Sequence, residues 1–498
     1  MSYHDHVYTR GYLLANKEIP EAPQRWIRIP HLPDPWKLYV DPLLHYYRAS
    51  QKESSVFAIG FFTSLRFPGE GPEKLTQRIA STLCQSQESF QSLIDSLQGH
   101  FAIFSFINDR VTVQSDAMAI CPLFYYKGCG DLRCVSSHVR LTATAAKANP
   151  NLFSQPGYYK KNGSDQNFAD TTSYQDVYRV PANLELDLSN QKVRRIYPRK
   201  QIKPWKVKDC ALFLQKATAN HLNVLLSESS PYSRVLVSIT GGIDTRANLS
   251  LIKKYIPKLE FFTFDPPTVN QYSRHDLETV KTILELEGIT NHKFIRSSKE
   301  SVDPSLERIL RSNTEFGYSS QVAQALFKTY GQQSATLHLR SSGYEIGRGY
   351  YRRSGYKKSN RTVDAAYCAY IMCQQHSVSA EVLDAYKNYW EETNCSCIAE
   401  LGYDPLDLLV WEHRMSVWHS TIVQEHALTF ESSVLINSRD LWNALISVAP
   451  RQRRHYKVFT SLIKANCPAL RKIPVNGQPL VPSFKSHLYR LRKSLASK

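Results

Sequence analysis

The sequence lacks the marks of a membrane or exported protein. No run of apolar residues in the 498-residue chain approaches the roughly 18 that a membrane-spanning helix needs. Its first segment, MSYHDHVYTRGYLL, has neither the apolar core of a signal peptide nor the arginine-rich pattern of an organelle leader. We therefore expect a cytoplasmic protein with no membrane contact.

Paired cysteines are also missing. The chain has ten cysteines, and none of them forms a C-x-x-C pair. This spacing argues against a zinc ribbon and against the paired-thiol chemistry of many RNA-modifying enzymes. We expect reduced and mostly buried thiols.

Acidic residues are absent from the last tenth of the chain. Between Arg451 and Lys498 there are twelve Lys and Arg residues and no Asp or Glu, in a chain whose net charge is +18. A basic end is typical of a protein that meets an anionic partner. We expect an acidic partner at the tail, residues 483–498. The chain's length suggests two to four domains.

The pattern of hydrophobic residues changes partway along the chain. The first ~200 residues read as mostly β-strands with short turns. A basic linker with two prolines spans 198–208. Strand and helix patterns then alternate, which predicts a doubly wound parallel sheet that binds ligands at the carboxyl ends of its strands. The pattern from 363 to 470 is helical.

The sharpest motif lies between an apolar strand and a helix. It reads Ser238-Ile-Thr240-Gly241-Gly242-Ile-Asp244-Thr245-Arg246. Two glycines allow a tight turn with inward N–H groups, and the hydroxyls and the helix N-terminus add donors, which together suit phosphate. Asp244 would repel phosphate unless it held Mg²⁺. The motif predicts a pyrophosphate site, and an ordinary strand–helix turn is the alternative.

This loop resembles the SGGxDS loop of the adenine-nucleotide α-hydrolase superfamily, with threonine at positions 240 and 245. Degenerate matches in the same order resemble the asparagine synthetase-like family. They include Gly99-His-Phe-Ala, Asp116, Pro122-Leu-Phe-Tyr-Tyr and Val180-Pro-Ala-Asn. The resemblance implies an Ntn-type glutaminase-like β-rich domain (1–200) and a doubly wound parallel-sheet ATP-pyrophosphatase domain with added helices (208–482). The fold class is thus α/β and α+β.

The resemblance also implies site residues. Ser342-Gly343-Tyr344-Glu345 and the residues up to Tyr350 resemble the family's G-x-G-x-D-E-x-x-G-G-Y, with tyrosine in place of the aspartate. Glu345 is then expected as a catalytic group or metal ligand beside Asp244. Lys457 is expected to neutralise the negative charge that develops on phosphorus, or on the tetrahedral intermediate, when members of this family adenylate their substrate. The expected ATP contacts are Ser238, Thr240, Gly241, Gly242, Asp244, Thr245, Arg246, Phe264 and Gly343.

The glutaminase machinery of the family is missing. Position 2 is serine where glutamine-dependent members carry a cysteine, and no cysteine precedes Cys84. An N-terminal serine is a weaker nucleophile and the less favoured interpretation. The chain is similar in this respect to β-lactam synthetases and lasso-peptide cyclases, which adenylate a carboxylate and let an amine on the substrate attack.

The first hypothesis is therefore an ATP- and Mg²⁺-dependent ligase that joins a carboxylate to an amine of a small molecule or peptide. The second is a tRNA-modifying adenylating enzyme of the same superfamily, favoured by the basic tail. The third is a non-catalytic nucleotide-binding scaffold, favoured by the loss of an acid at Tyr344. The sequence leaves the oligomeric state open.

Overall fold

A computed structural model describes residues 2–155, 157–158, 167–266, 271–297, 301–315, 317–353, 362–374 and 377–475. The predicted basic tail at 483–498 lies outside the described residues, and so do Lys357, Lys358 and Arg361. Within the described ranges, no helix has the length and apolar character that crossing a membrane requires.

The N-terminal part contains two six-stranded antiparallel sheets. The strand order is β10-β8-β9-β1-β3-β2 in the first sheet and β12-β11-β7-β6-β5-β4 in the second. The strands are β1 (Tyr12–Ala15), β2 (Ile27–Arg28), β3 (Lys37–Val40), β4 (Tyr46–Gln51), β5 (Ser54–Ser64), β6 (Leu97–Ile107), β7 (Arg110–Ser115), β8 (Phe124–Tyr126), β9 (Cys134–Ser136), β10 (Val177–Arg179), β11 (Leu184–Asp187) and β12 (Lys192–Arg195).

The side chains of β5 point alternately to the two faces of its sheet, and their contacts show how the sheets and helices are layered. Phe57 and Ile59 join the core shared by the two sheets. Val56 and Ala58 point to the opposite face and pack under two helices, Pro72–Gln85 and Gln87–Asp95. The outer face of the first sheet packs against helix Val139–Ala146. Since strand side chains alternate between faces, the apolar run Val56–Phe62 within β5 requires cover on both sides.

The C-terminal part is built on a five-stranded parallel sheet of order β15-β14-β13-β16-β17. Its strands are β13 (Arg234–Ser238), β14 (Glu260–Asp265), β15 (His292–Arg296), β16 (Thr336–Arg340) and β17 (Glu431–Val434). The predicted fold class, β-rich at the N-terminal end and doubly wound parallel at the C-terminal end, is confirmed. The change of pairing falls between β12 and β13, and the boundary near 200–208 stays a prediction.

The helical prediction for 363–470 is wrong at β17. Its sequence is Glu-Ser-Ser-Val, which has no apolar alternation, yet all four residues are buried and pair with β16. Backbone hydrogen bonds from a neighbouring strand, which local sequence does not reveal, create this strand.

Helices fill the faces of the parallel sheet and most of the remaining C-terminal part. The described α-helices after β12 are Val207–Leu225, Ile243–Ile252, Gln271–Glu287, Pro304–Asn313, Ser320–Tyr330, Tyr350–Arg353, Ala365–Met372, Ala380–Glu392, Ser396–Glu400, Pro405–Leu408, Ser420–His426, Arg439–Ile446, Pro450–Arg454 and Lys457–Asn466. A π-helix spans Leu409–His419 and leads into helix Ser420–His426.

A buried polar junction joins the antiparallel sheets to the segment after β17. The backbone N–H of Gly99 donates to the carbonyl of Asn437 at 3.0 Å, and the Asn437 amide donates to the Asp116 carboxylate at 2.7 Å. Asp116 also accepts the backbone N–H groups of Met118, Ile120 and Cys121. A buried carboxylate with this many donors is fully compensated, so the junction fixes the two parts against each other.

A second buried contact between the parts centres on Glu431, the first residue of β17. Its carboxylate accepts a hydrogen bond from Tyr232 and lies 3.5 Å from His100 Nε2. Burial alone would raise the pKa of Glu431, but the hydrogen bond from His100 and the charges of His100, His45 and Arg10 outweigh it and lower the pKa to about 2.

We expect Glu431→Gln to lower the free energy of unfolding at neutral pH by about 3 kcal/mol. The folded-state pKa lies below the ordinary value of 4.5. The stabilisation from the carboxylate is therefore present above pH 4.5 and is lost as the pH falls towards 2. Urea unfolding across this range measures the effect, with the exposed Glu391→Gln as control. Parallel pH curves for the variant and the wild type would contradict the assignment.

Candidate functional site

The sheet order creates a crevice between two neighbouring strands. β13 pairs with β14 on one side and β16 on the other, all in parallel. The chain leaves β13 towards β14 but returns on the other side at β16, so the connections diverge between β13 and β16. Ligands of doubly wound sheets bind at the carboxyl ends of strands at such a point. The predicted glycine loop, 239–242, follows β13. The segment 341–345, here called the second loop, follows β16.

The glycine loop after β13 presents hydroxyls at a helix N-terminus. Ser238 ends β13, and Gly242 precedes helix Ile243–Ile252. The hydroxyl oxygens of Thr240 and Thr245 lie 2.9 Å apart, and Thr245 Oγ1 also accepts the backbone N–H of Thr240 at 3.3 Å. The first turn of a helix has N–H groups without intrahelical acceptors and carries partial positive charge. These features suit an anion.

A carboxylate outside the motif contacts the same loop. The backbone N–H of Gly241 donates to Asp276 Oδ1 at 2.8 Å. A Cβ at position 241 would lie 2.6 Å from that oxygen, so the close approach requires glycine. The sequence analysis missed Asp276 because it lies 35 residues away on helix Gln271–Glu287 and belongs to no motif. Asp276 occupies one N–H that the motif predicts for phosphate.

Arg246 bonds to backbone carbonyls of the glycine loop and of the segment after helix Lys457–Asn466. Its guanidinium donates to the backbone carbonyls of Gly241, Leu470, Ile473 and Pro474 at 2.6–3.3 Å. Burial lowers its pKa to about 10, although the charge of Asp276 acts in the opposite direction. These contacts anchor the segment after helix Lys457–Asn466 to the loop. The predicted contact of Arg246 with ATP is not tested by them and stays a prediction.

An ion pair joins the two loops. Arg348 follows β16 in a short 3₁₀ turn, Ile346–Arg348, and its guanidinium lies 3.1 Å from Asp244 Oδ2. Burial lowers the pKa of Arg348, but the charges of Asp244 and Glu345 outweigh this and raise it. Glu345 is itself buried. The structure thus pairs one predicted acid, Asp244, with Arg348, and the charge of the other, Glu345, acts on the same guanidinium.

Tyr344 and Gly343 are packed into the core behind these groups. The Tyr344 hydroxyl donates to Asn248 Oδ1 at 2.9 Å, and burial raises its pKa well above the usual value. Gly343 has a φ of +84°, and a Cβ there would lie 2.6 Å from the Met118 side chain. Packing accounts for the glycine, and its contact with ATP stays a prediction.

Two further predicted side chains, Lys457 and Phe264, are exposed and half-buried respectively. Lys457 is exposed and follows Tyr456, whose ring lies 5.8 Å from the Arg348 guanidinium carbon. Phe264 lies next to the end of β14 and is half-buried, with its ring 6.3 Å from that of His426. Their roles in charge neutralisation and adenine binding stay predictions, as does that of Ser238.

A cation also lies at the end of β16. The guanidinium of Arg340 is 2.9 Å from His426 Nδ1, and its Nε atom is buried with no hydrogen-bond partner among the described residues. Burial lowers the pKa of Arg340 to about 10, with Glu425 acting in the opposite direction. Arg340 remains charged at neutral pH and offers an unused donor to an anion.

The predicted Mg²⁺ ligands do not fit a metal held by the protein alone. In the part of the chain that the structure describes, no three His, Cys, Asp or Glu side chains are grouped so as to hold a metal ion. Asp244 already pairs with Arg348, and the aspartate of the family pattern is replaced by the buried Tyr344. The arginine at 348, where the pattern has glycine, is the signal in the sequence that would have revealed this.

We expect Asp276→Asn to strengthen binding of inorganic pyrophosphate several-fold. The amide oxygen can still accept the Gly241 N–H, while the negative charge that repels an incoming anion is removed. Calorimetric titration with pyrophosphate at low salt measures the change, and the gain should shrink as salt is added. Glu278→Gln, an exposed change on the same helix, is the control. Unchanged or weaker binding in Asp276→Asn would contradict this assignment.

No protein-family model matches the sequence. No curated protein sequence matches it either. Among solved structures, the glutamine phosphoribosylpyrophosphate amidotransferase from B. subtilis complexed with ADP and GMP is 12% identical over 62% of this chain and 84% of its own, with a TM-score of 0.25. NMN synthetase from Francisella tularensis is 19% identical over 41% of this chain and 86% of its own, with a TM-score of 0.19. With TM-scores this low, these likenesses carry no argument about the chain.

Proposed function

We propose that the chain is an ATP-dependent ligase that adenylates a carboxylate and transfers the acyl group to an amine. The observation that carries the proposal is the hydroxyl pair of Thr240 and Thr245 at a helix N-terminus, beside the crevice between β13 and β16. A phosphate chain at this position would meet backbone N–H groups, hydroxyls and the positive end of a helix.

The proposed reaction needs positive charge at two steps, adenylation and acyl transfer. The substrate carboxylate attacks the α-phosphorus of ATP, pyrophosphate leaves, and the amine then attacks the acyl carbon and releases AMP. Negative charge develops first on phosphorus and then on the tetrahedral carbon, where a fixed cation is most effective. Lys457, which is exposed, and Arg348 in the crevice are the cations proposed for these tasks.

Arg340 supports an anionic substrate. It ends β16 beside the second loop, and its buried Nε atom has no partner in the described part of the chain. Guanidinium groups bind carboxylates in a planar, two-point geometry. We propose that Arg340 holds the substrate carboxylate while ATP occupies the glycine loop.

The amine and Mg²⁺ would both reach the site with the substrates or from solution. The amine is ammonia or part of the substrate, since the sequence lacks the cysteine that glutamine hydrolysis uses in the family it resembles. Mg²⁺ would enter with ATP as its counter-ion, because Asp244 already pairs with Arg348 and no group of three acidic, His or Cys ligands is found among the described residues. No step is assigned to a metal held by the protein.

Carboxylate-dependent exchange between ATP and labelled pyrophosphate tests this function. We expect exchange with at least one carboxylate from a panel of amino acids and peptides. Thr245→Val keeps the shape of the side chain but removes a hydroxyl from the phosphate site, and should slow exchange roughly 10- to 100-fold. Thr282→Val removes a hydroxyl that bonds only within its own helix and should leave the rate unchanged.

Two outcomes would contradict the ligase. One is exchange that is equally fast in Thr245→Val, which would place the chemistry elsewhere. The other is absence of ATP binding in calorimetry, which would remove every adenylating function, including the tRNA-modifying alternative.

A further inference from the structure

The cation that pairs with the glycine loop is Arg348, a side chain of the protein. Asp244 is the acid that a phosphate-binding loop would use to hold a divalent ion. Here its Oδ2 atom lies 3.1 Å from the guanidinium of Arg348, and the two side chains are only 21% and 18% exposed. The pair is therefore a shielded contact inside the crevice and is screened less by salt than a surface ion pair.

The arginine still has an unused donor. Its Nε atom is buried and has no hydrogen-bond partner among the described residues. Arginine carries five N–H donors in a planar fork and does not lose its proton in proteins. Arg348 can therefore keep Asp244 on one side and donate to phosphate oxygens on another.

Local charge disfavours a metal at the same position. Asp244 and Glu345 supply two negative charges, and Arg348 cancels one of them. A divalent ion bound to Asp244 would have to displace a permanently charged guanidinium or lie against it, which costs electrostatic energy. The lost aspartate, replaced by Tyr344 in the core, leaves that ion one ligand short.

We propose that Arg348 takes the place of a protein-held divalent ion and binds the pyrophosphate part of a nucleoside triphosphate directly. Nucleotide binding by the chain then does not require a divalent metal. The inference rests on the proposed function, since it concerns the same phosphate site.

Calorimetry with ATP, in EDTA and in excess Mg²⁺, tests the inference on the full chain. In EDTA the wild type should bind ATP with a Kd within about threefold of its value in Mg²⁺, a difference below 1 kcal/mol. Arg348→Met should weaken binding in EDTA by about tenfold or more, because a charged hydrogen-bond donor is removed. Arg352→Met is the matched control, since it removes a nearby arginine that pairs with Asp404 outside the crevice.

Asp244→Asn separates the two interpretations without removing the arginine. If Arg348 binds phosphate, removing the carboxylate frees the guanidinium, and ATP binding in EDTA should stay equal or tighten. If Asp244 holds a metal, the same change should abolish a Mg²⁺-dependent gain in affinity. This variant keeps the test valid should Arg348→Met fold poorly.

The outcomes distinguish this inference from the ligase proposal. Binding that requires Mg²⁺, or that is unchanged in Arg348→Met, overturns the role of Arg348 and leaves the ligase standing. If the wild type binds ATP neither in EDTA nor in excess Mg²⁺, both the inference about Arg348 and the ligase proposal are overturned. Binding in EDTA that is lost in Arg348→Met and kept in Asp244→Asn supports the inference.

Discussion

The parallel pairing of β13 with both β14 and β16 is the constraint on which the candidate site depends. Because β13 lies in the middle of the sheet, the loops after β13 and β16 emerge side by side. Residues more than 100 positions apart, Asp244 and Arg348 among them, therefore meet across one crevice. The helix after β13 points its N-terminus into the same space, so backbone charge and side-chain charge act at one place.

Two carboxylates of the crevice have protein partners before any ligand arrives. Asp276 accepts an N–H of the glycine loop, and Arg348 neutralises Asp244. A ligand with phosphate groups would replace these partners as well as accept from the Nε donor of Arg348, which is unused among the described residues. Its affinity is then the difference between two sets of charged hydrogen bonds, which keeps binding reversible.

The sequence predicted the fold class because hydrophobic periodicity is local. The continuous apolar run of β5 and the strand–helix alternation after β12 are both visible in short windows. β17 was missed because Glu-Ser-Ser-Val carries no such pattern and is defined by pairing with β16. Its burial also depends on partners distant in sequence, such as His100 and Tyr232.

The site was predicted in part for the same reason. The glycine loop is one contiguous motif, and the hydroxyl oxygens of Thr240 and Thr245 lie 2.9 Å apart in it. Arg246 belongs to the same motif, and two positions along a helix correspond to about 200°, which places it on a different face of the helix from Asp244. Its contact with ATP stays a prediction. Asp276 and Arg348 reach the loop only through the tertiary fold, so no spacing rule could assign their contacts.

The ion pair between the loops has a consequence for how this sequence can change over evolution. An acid at position 344 would place a carboxylate in the core beside Asn248, Trp442 and Phe459. A small residue at 348 would leave Asp244 without its guanidinium. Each change costs free energy when made alone, so positions 244, 344 and 348 are expected to change together. Among relatives, an acid at 344 should co-occur with a small residue at 348, and an apolar or aromatic residue at 344 with arginine.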